Sequence, residues 1–480
     1  MDIKKDTIKS VKWSAVGQYS NVIIGFVLGI ILARLLTPAD FGTIGMIEIF
    51  FALANILTDS GFGAALIQKK DADEVDYSTV FFFNIVLSLF CYTLLYLCAP
   101  FIALFFKMEQ LVDIVRVSAL SLIIGAFCNI QINLLTKRIN FKTPAIINLS
   151  TQIVSGCIAI VLAFMGYGVW TLVYQSLIAS LLKTIAFWTL SDWRPKWIFS
   201  WASFRGLFDF GSKLLVSNLL ASAYNNVTPL LIGKYYTPQA LGFYSKAKRL
   251  VLLPSETFYG IMGKVTFPIL SKIQDDDEQL IHVYSKFIRI CSLPIFFVMM
   301  LMAAMAKPLI IFLYTDKWLE SVVYVQILCF MTFRHVSQIN LNLLLVKGRS
   351  DLNLKIEIYK KIVWLTLMLL SLPFGVLYFC IASVLGSQIS LFINCYYTGR
   401  LFGLTYRKQW ADFFPYFGLA ILSCLPTYIL TFLDLPNIVQ IILGSSLSFS
   451  IYFGLLWIRK DDSLLELIRL TPAKKWLKIK

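Results

Sequence analysis

Charged side chains interrupt the apolar segments of this 480-residue sequence, and basic residues outnumber acidic ones there. Arginine binds phosphate oxygens through two parallel hydrogen bonds and lysine binds them as a mobile point charge, so the basic residues can hold an anionic group. Carboxylates in the same segments can separate these cations or titrate with pH. The basic candidates are Lys213, Lys246, Lys248, Arg249 and Arg334, and the acidic candidates are Glu48, Asp59 and Glu256.

Uncharged polar residues in the same segments recur at helical spacing, which places them on single helix faces. We expect these faces to line an internal hydrated cavity, because a lipid-facing charge at mid-membrane costs about 2.5–3.5 kcal/mol. Helix packing through hydrogen bonds, worth about 0.6 kcal/mol each in membranes, is the alternative. The faces comprise Ser14, Gln18, Asn21 and Gly25; Glu48, Asn55 and Asp59; and Asn218, Ser222, Asn225 and Pro229, while Arg34, Gln131 and Gln338 complete the candidate site.

Composition assigns these segments to a membrane. The chain is 58% hydrophobic and 15% charged, whereas a soluble protein is about 45–50% apolar and about 25% charged. Because a spanning helix needs about 20 apolar residues, the sequence predicts an all-α integral membrane protein with about fourteen spans. These are 11–36, 41–66, 78–106, 111–136, 144–165, 168–190, 207–233, 241–270, 283–314, 319–346, 355–374, 375–399, 411–433 and 437–459.

Basic residues are distributed unevenly between the loops of this topology. Loops on one side, with the two terminal segments, carry thirty Lys and Arg, and loops on the other side carry four. Cytoplasmic loops are enriched in Lys and Arg, so both termini are predicted to be cytoplasmic. The net charge of +16 therefore reflects topology, and no nucleic-acid partner is expected.

An internal repeat divides the chain. Thr37-Pro38 and Gly42 recur 200 residues later as Thr237-Pro238 and Gly242, and the Gln131–Leu134 motif recurs at an offset of 207. Six helices per repeat is an even number, which predicts two lobes of the same orientation around a central cavity. The predicted domains are an N-lobe at 1–200, a C-lobe at 201–410, two further helices at 411–459 and a cytoplasmic basic tail at 460–480.

Motifs for metal, cofactor or catalytic chemistry are weak. Nine cysteines lack C-x-x-C spacing and two histidines cannot build a His-rich site, so no metal or cofactor is expected. Asp71-Ala72-Asp73 lies in a short loop and is interpreted as a solvated charge run. The segment 206–213 resembles a phosphate loop, but its lysine is displaced and no strand precedes it. We therefore predict that the protein is not an enzyme.

Three segments resemble a known superfamily. The string L-A-R-L-L-T-P-A-D-F-G, which ends the first span, resembles the multidrug/oligosaccharidyl-lipid/polysaccharide (MOP) flippases. The segments Thr237–Ala247 and Phe267–Asp276 are similar to its bacterial polysaccharide branch of Wzx-type flippases and colanic-acid-type exporters. The resemblance covers the first twelve helices. It implies alternating access and a cationic cavity for a polyprenyl-pyrophosphate-linked oligosaccharide.

The resemblance also implies a location and partners. The expected location is the bacterial cytoplasmic membrane, and the expected partners are the lipid-linked substrate, membrane lipid and a polysaccharide polymerase or other assembly proteins. A drug or cation antiporter of the same superfamily is the alternative function, but it would favour an acidic cavity. A membrane-embedded glycan polymerase or ligase is a third possibility, and it would need a large external loop that the sequence lacks.

Overall fold

The computed structural model describes residues 3–59 and 61–470, with side chains omitted at 3–11, 259, 261, 264 and 468–470. All regular elements in these residues are helices, and positions 471–480 of the predicted basic tail lie outside them. The helices are α1 Ile3–Leu35, α2 Pro38–Asp59, α3 Phe62–Gln68, α4 Glu74–Phe106, α5 Leu111–Ala126, α6 Asn129–Lys137, α7 Lys142–Phe164, α8 Val169–Leu190, α9 Trp201–Tyr235, α10 Pro238–Lys272, α11 Asp277–Ala304, α12 Ala306–Tyr314, α13 Ser321–Leu328, α14 Arg334–Val346, α15 Ser350–Ser371, α16 Val376–Phe402, α17 Tyr406–Leu430, α18 Asn437–Ile458 and α19 Asp462–Leu470.

Each predicted span coincides with one helix or one broken helix. In the described residues, ten helices are long and apolar enough to cross a membrane, and eleven if the bent pair α5–α6 forms one span. Three predicted spans, which correspond to α9, α10 and α15, are not among these helices. The all-helical membrane fold is confirmed, while the count of fourteen spans stays a prediction.

Helix boundaries follow the internal repeat. α1 ends at Leu35 and α9 at Tyr235, and the following helices begin at Pro38 and Pro238. Proline is suited to the first turn of a helix, because its missing N–H would have no partner there. Later in the chain α8 begins at Val169 and α16 at Val376, an offset of 207. Each is preceded by a glycine with positive φ, Gly168 at 53° and Gly375 at 109°.

The acidic loops of the two repeats contain helix caps. The Asp73 carboxylate accepts a hydrogen bond from the Asp76 backbone N–H at 2.9 Å, and the Asp76 side chain accepts one from the Asp73 N–H. Asp276 caps α11 by accepting from the Gln279 N–H at 3.0 Å. A carboxylate in this position satisfies an otherwise unpaired N–H of the first helical turn. The Asp71-Ala72-Asp73 string therefore starts a helix.

The described chain forms two compact units, Met1–Gly242 and Phe243–Lys480. The first unit includes α9, which packs against α2, α3 and α4. The repeat-based domains stay a prediction. In the first unit α1 packs on α7, and α7 on α8. Phe62, Phe81 and Trp193 belong to a buried cluster of that unit. In the second unit Phe296 packs against Phe333 and Phe417.

Candidate functional site

A polar cavity of about 460 Å³ lies among α1, α7 and α8 of the first unit. Its size falls in the range of ligand-binding pockets, about 300–1,000 Å³. The helices around it are otherwise apolar, so the polar side chains in it need a reason to be there. The cavity is lined by Asn21, Asn148, Thr151, Gln152, Ser155, Leu172, Gln175, Ser176, Ala179 and Lys183.

Helical spacing explains why these side chains meet. On α7 the lining residues lie at 148, 151, 152 and 155, and on α8 at 175, 176, 179 and 183. Residues three or four apart share a helix face, so each helix presents one polar stripe. Asn21 extends the stripe that the sequence predicts on α1. Polar residues of three helices thus line one open cavity.

Hydrogen bonds hold the hydroxyl groups and one amide in place. The Gln152 Nε2 donates to the Asn21 backbone oxygen at 3.4 Å, which links α7 to α1. The hydroxyls of Thr151, Ser155 and Ser176 donate to backbone oxygens of their own helices at 2.8, 3.3 and 2.8 Å. Each hydroxyl oxygen therefore remains an acceptor. In the described residues the buried Asn21 Oδ1 has no hydrogen-bond partner, which costs about 1–3 kcal/mol.

Lys183 provides the only charge among the residues that line the cavity. It lies on α8, is half-buried, and forms no ion pair with a carboxylate of the described chain. A buried charge needs a counter-charge or water, because its desolvation is costly. The cavity therefore combines one cation with amide and hydroxyl groups, an arrangement suited to an anionic polar ligand.

Asp59 lies at the break between α2 and α3 and does not line this cavity. Gly61 adopts a φ of 69° there. A Cβ on Gly63 would lie 3.0 Å from Asp59 Oδ1 and 2.7 Å from Asn133 Nδ2, so glycine at this position leaves room for both polar groups. The structure thus brings Asp59 close to Asn133, which the sequence analysis did not include among the site residues.

Most other predicted residues of α1, α2 and α9 have exposed side chains, while Ser222 and Pro229 are half-buried. The Asn55 Nδ2 donates to its own helix at Phe51 O. Lys213 forms an ion pair with Asp209 one turn earlier, at 3.1 Å, and both are solvent-exposed. Exposed here are Gln18, Arg34, Glu48, Asn55, Lys213, Asn218 and Asn225.

The Gln131 motif and its repeat have different environments. Gln131 is fully buried. With its side-chain amide oriented so that the nitrogen faces the two backbone oxygens, it donates to Phe127 O at 3.0 Å and to Cys128 O at 3.2 Å. It therefore stabilises the break between α5 and α6. Its counterpart Gln338 is exposed on α14, on the same face as Arg334.

Basic residues of α10 also differ in exposure. Lys246 is 5% exposed, and its Nζ lies 5.7 Å from the centre of the Tyr314 ring and 5.8 Å from that of Trp318. These distances fit cation–π contacts. Lys248 is half-buried near the Tyr244 ring, while Arg249 and Glu256 are exposed. The predicted roles of these residues in substrate binding stay predictions.

Six polar cavity residues on α7 and α8 were missed by the sequence analysis. The signal that could have identified them is the one used for α1, polar residues three or four apart. Lys183 is likewise absent from the candidate residues of the sequence analysis. The missed residues are Asn148, Thr151, Gln152, Ser155, Gln175 and Ser176.

Comparison with known sequences gives a consistent group of relatives. The family described as "Polysaccharide biosynthesis protein" matches residues 31–323. The teichuronic acid biosynthesis protein TuaB of Bacillus subtilis (strain 168) is 29% identical over 353 residues, covering 73% of each chain. The lipopolysaccharide biosynthesis protein WzxC of Escherichia coli (strain K12) is 23% identical over 363 residues, covering 75% of this chain and 74% of WzxC.

Comparison with solved structures identifies the fold. The lipid II flippase MurJ in an inward closed conformation superposes with a TM-score of 0.72 at 15% identity, covering 92% of this chain and 99% of MurJ. An inward-facing multidrug resistance MATE family transporter of the MOP superfamily gives a TM-score of 0.62 at 15% identity, covering 80% of this chain and 94% of that chain. At such identities the likeness extends to the fold alone.

Proposed function

Because the chain belongs to the polysaccharide biosynthesis protein family and has the fold of MOP-superfamily transporters, we propose that it is a flippase for a lipid-linked oligosaccharide. The substrate is a polyprenyl-pyrophosphate-linked oligosaccharide, and it moves from the cytoplasmic to the periplasmic leaflet by alternating access. The product supplies surface polysaccharide synthesis. The printed names of the relatives, which concern teichuronic acid and lipopolysaccharide biosynthesis, support this substrate class.

The observation that carries the proposal is the cationic, amide-lined cavity inside apolar helices of the first unit. An unaided flip must move a polar glycan and a charged diphosphate through hydrocarbon. Fixed polar groups replace lost hydration, and fixed cations attract anions more strongly where water is scarce. No catalytic step is required, because no covalent bond changes during flipping.

Basic side chains elsewhere in the spans supply the proposed contacts for the diphosphate. We assign this role to Lys213, Lys246, Lys248, Arg249 and Arg334, with Lys acting as a point charge and Arg as a bidentate donor. Several modest sites suit transport better than one tight site, because the substrate must be released. Glu48, Asp59 and Glu256 would neutralise these cations when the substrate is absent.

The proposed setting is the bacterial cytoplasmic membrane with both termini in the cytoplasm. The basis is the excess of Lys and Arg on one side of the membrane. Reporter fusions at Lys107, Lys317 and Asp434 should report the outside, and fusions at Lys70 and Arg349 the inside. A polysaccharide polymerase is the proposed partner that receives the product.

A deletion experiment tests the function. Loss of the protein should leave the lipid-linked repeat unit on the cytoplasmic face, as measured by leaflet-specific labelling. Wild type should reverse this accumulation, and the double variant Lys248→Gln/Arg249→Gln should not. The exchange Lys248→Arg/Arg249→Lys keeps both charges and serves as the matched control. Normal surface glycan in the deletion strain, together with increased drug sensitivity, would contradict the proposal and favour the antiporter.

A further inference from the structure

We propose that the cavity among α1, α7 and α8 binds an acidic sugar unit of the transported glycan, with the sugar carboxylate on Lys183 and its hydroxyls on the polar stripes. This inference rests on the proposed function and specifies its substrate class, an oligosaccharide that carries a carboxylate. The cavity is contained within the first unit, and its lining residues all come from α1, α7 and α8.

The hydrogen-bonding groups of the cavity match sugar hydroxyls. The hydroxyl hydrogens of Thr151, Ser155 and Ser176 are already donated to backbone oxygens, so these residues offer acceptors to a ligand. The amides of Asn148 and Gln175 offer both donors and acceptors. A ligand that fits this lining must itself bring several donors together with acceptors. Sugar hydroxyls have that property.

The charge of the cavity requires an anionic group on the same ligand. Lys183 is the one cation in the lining, and no carboxylate lines the cavity with it. A carboxylate bonded to an ammonium in a half-buried site forms a charge-assisted hydrogen bond, which is stronger than a neutral one. A neutral sugar would leave the ammonium without a counter-charge, and a cation would be repelled by it.

The same lining disfavours the diphosphate of the lipid linker. A diphosphate presents acceptor oxygens almost everywhere on its surface and carries more than one negative charge. The cavity offers one cation for that charge. Its hydroxyl oxygens and the phosphate oxygens are both hydrogen-bond acceptors, so they would repel each other. An acidic sugar avoids this conflict, because its single carboxylate faces Lys183 and its hydroxyls face the acceptors.

Volume supports a sugar-sized ligand. A cavity of about 460 Å³ corresponds to roughly fifteen water molecules at about 30 Å³ each. That space exceeds the need of a single ion and lies within the range of small-molecule pockets, about 300–1,000 Å³. Bridging waters are common in polar sites and do not make binding weak.

A binding experiment on the purified full chain in lipid nanodiscs tests the inference. The probes are glucuronate, glucose, acetate and inorganic pyrophosphate, measured by calorimetric titration. Glucuronate should bind. Glucose and acetate should bind about 10- to 100-fold more weakly, because glucose lacks the carboxylate and acetate lacks the hydroxyls. Lys183→Met should weaken glucuronate binding by a similar factor. Lys183→Arg keeps the charge and should retain binding.

Two controls keep this result interpretable. Lys408→Met removes an exposed lysine at the start of α17 and should leave glucuronate binding unchanged. If Lys183→Met does not fold, Gln175→Leu replaces it and should also weaken binding. Glucuronate and glucose binding equally to wild type would overturn the inference, and so would pyrophosphate binding more tightly than glucuronate in a Lys183-dependent way.

A transport experiment separates this inference from the proposed function. Reconstituted wild type should flip lipid-linked glycans with and without an acidic sugar. In Lys183→Met, transport of the glycan with the acidic sugar should fall more than transport of the other glycan. Equal transport of both glycans by Lys183→Met would overturn the inference and leave the flippase function intact. Failure of wild type to move either glycan would contradict the proposed function, while the glucuronate titration would still decide the ligand of the cavity.

Discussion

The helix pairs α7–α8 and α15–α16 occupy equivalent positions in the repeat but have different interiors. At the offset of 207, Gln152 and Ser155 on α7 correspond to Tyr359 and Ile362 on α15. Lys183 on α8 corresponds to Ser390 on α16, whose hydroxyl donates to its own helix at Gly386 O. Of the six polar uncharged cavity residues on α7 and α8, Ser176 alone keeps its residue type in the second copy, as Ser383. The two copies share helix boundaries but differ in the side chains that lie between the helices.

A difference in side-chain volume accompanies the difference in polarity. In the second copy Trp364 fills the space beside Gly386, and a Cβ on that glycine would lie 3.0 Å from the Trp364 Cδ1. The corresponding residues of the first copy are Cys157 and Ala179, and Ala179 lines the cavity. In the first copy, small side chains leave space between the helices, and the polar residues beside this space line the proposed binding cavity.

The largest expected effect concerns a position that the repeats have kept identical. A Cβ on Gly42 would lie 1.6 Å from Pro238 O, and one on Gly242 would lie 1.9 Å from Pro38 O, a reciprocal backbone contact. Gly42→Ala must separate these backbones, so we expect a loss of about 4 kcal/mol or more of unfolding free energy. The measurement is thermal unfolding in nanodiscs. Gly29→Ala, whose Cβ would meet no atom within 4 Å, is the control and should not lower the Tm. Similar Tm values for the two variants would refute the contact.

The second prediction tests the difference in interior volume. Gly386→Leu overpacks the α15–α16 interface against Trp364 and should cost about 1–3 kcal/mol of unfolding free energy. Ala179→Leu enters the cavity of the first copy, so it should leave the Tm nearly unchanged while it reduces ligand binding. Equal Tm losses for the two leucine variants would show that the first copy is as closely packed as the second.

The third prediction compares the repeat-related Asn133 and Asn340. Asn340 is fully buried, accepts a hydrogen bond from the Tyr284 hydroxyl and donates to Cys395 Sγ at 3.3 Å. Asn340→Leu leaves the Tyr284 hydroxyl without this partner and should cost about 1–2 kcal/mol. Asn133→Leu should cost less, because the Asn133 Nδ2 has no partner among the described residues. A larger Tm loss for Asn133→Leu would reverse this ranking.

The smallest expected effect concerns an ion pair that exists in the second copy alone. The Arg349 guanidinium, which donates to Asp351 at 3.0 Å through Nε and Nη2, lowers the pKa of Asp351 to about 2. In the first copy the corresponding residues are Lys142 and Pro144. A lowered carboxylate pKa adds stability above the unfolded pKa of about 4, and this stability disappears as the pH falls towards 2. Arg349→Gln should therefore raise the pKa of Asp351, as followed by NMR, with almost no Tm change because the pair is exposed. An unchanged pKa would contradict this assignment.

Much of the architecture could be read from local sequence. Apolar runs mark the spans, and the Thr-Pro motifs at 37–38 and 237–238 predict helix boundaries that the structure contains. These features depend on residues adjacent in the chain, since hydropathy and helix starts are local properties. The polar stripe on α1 was also predicted, and its Asn21 lines the cavity.

Tertiary structure decided which polar stripes meet. Gln131 and Gln338 belong to the same repeated motif, yet one is buried against backbone oxygens and the other is exposed. Asn21 joins Gln152 and Lys183, whereas Gln18, one turn earlier on the same stripe, is exposed. Spacing along a helix determines which residues share a face, because the helical period is fixed. The sequence by itself therefore determined the faces, and only the packing of α1 on α7 and of α7 on α8 determined which of them line the cavity.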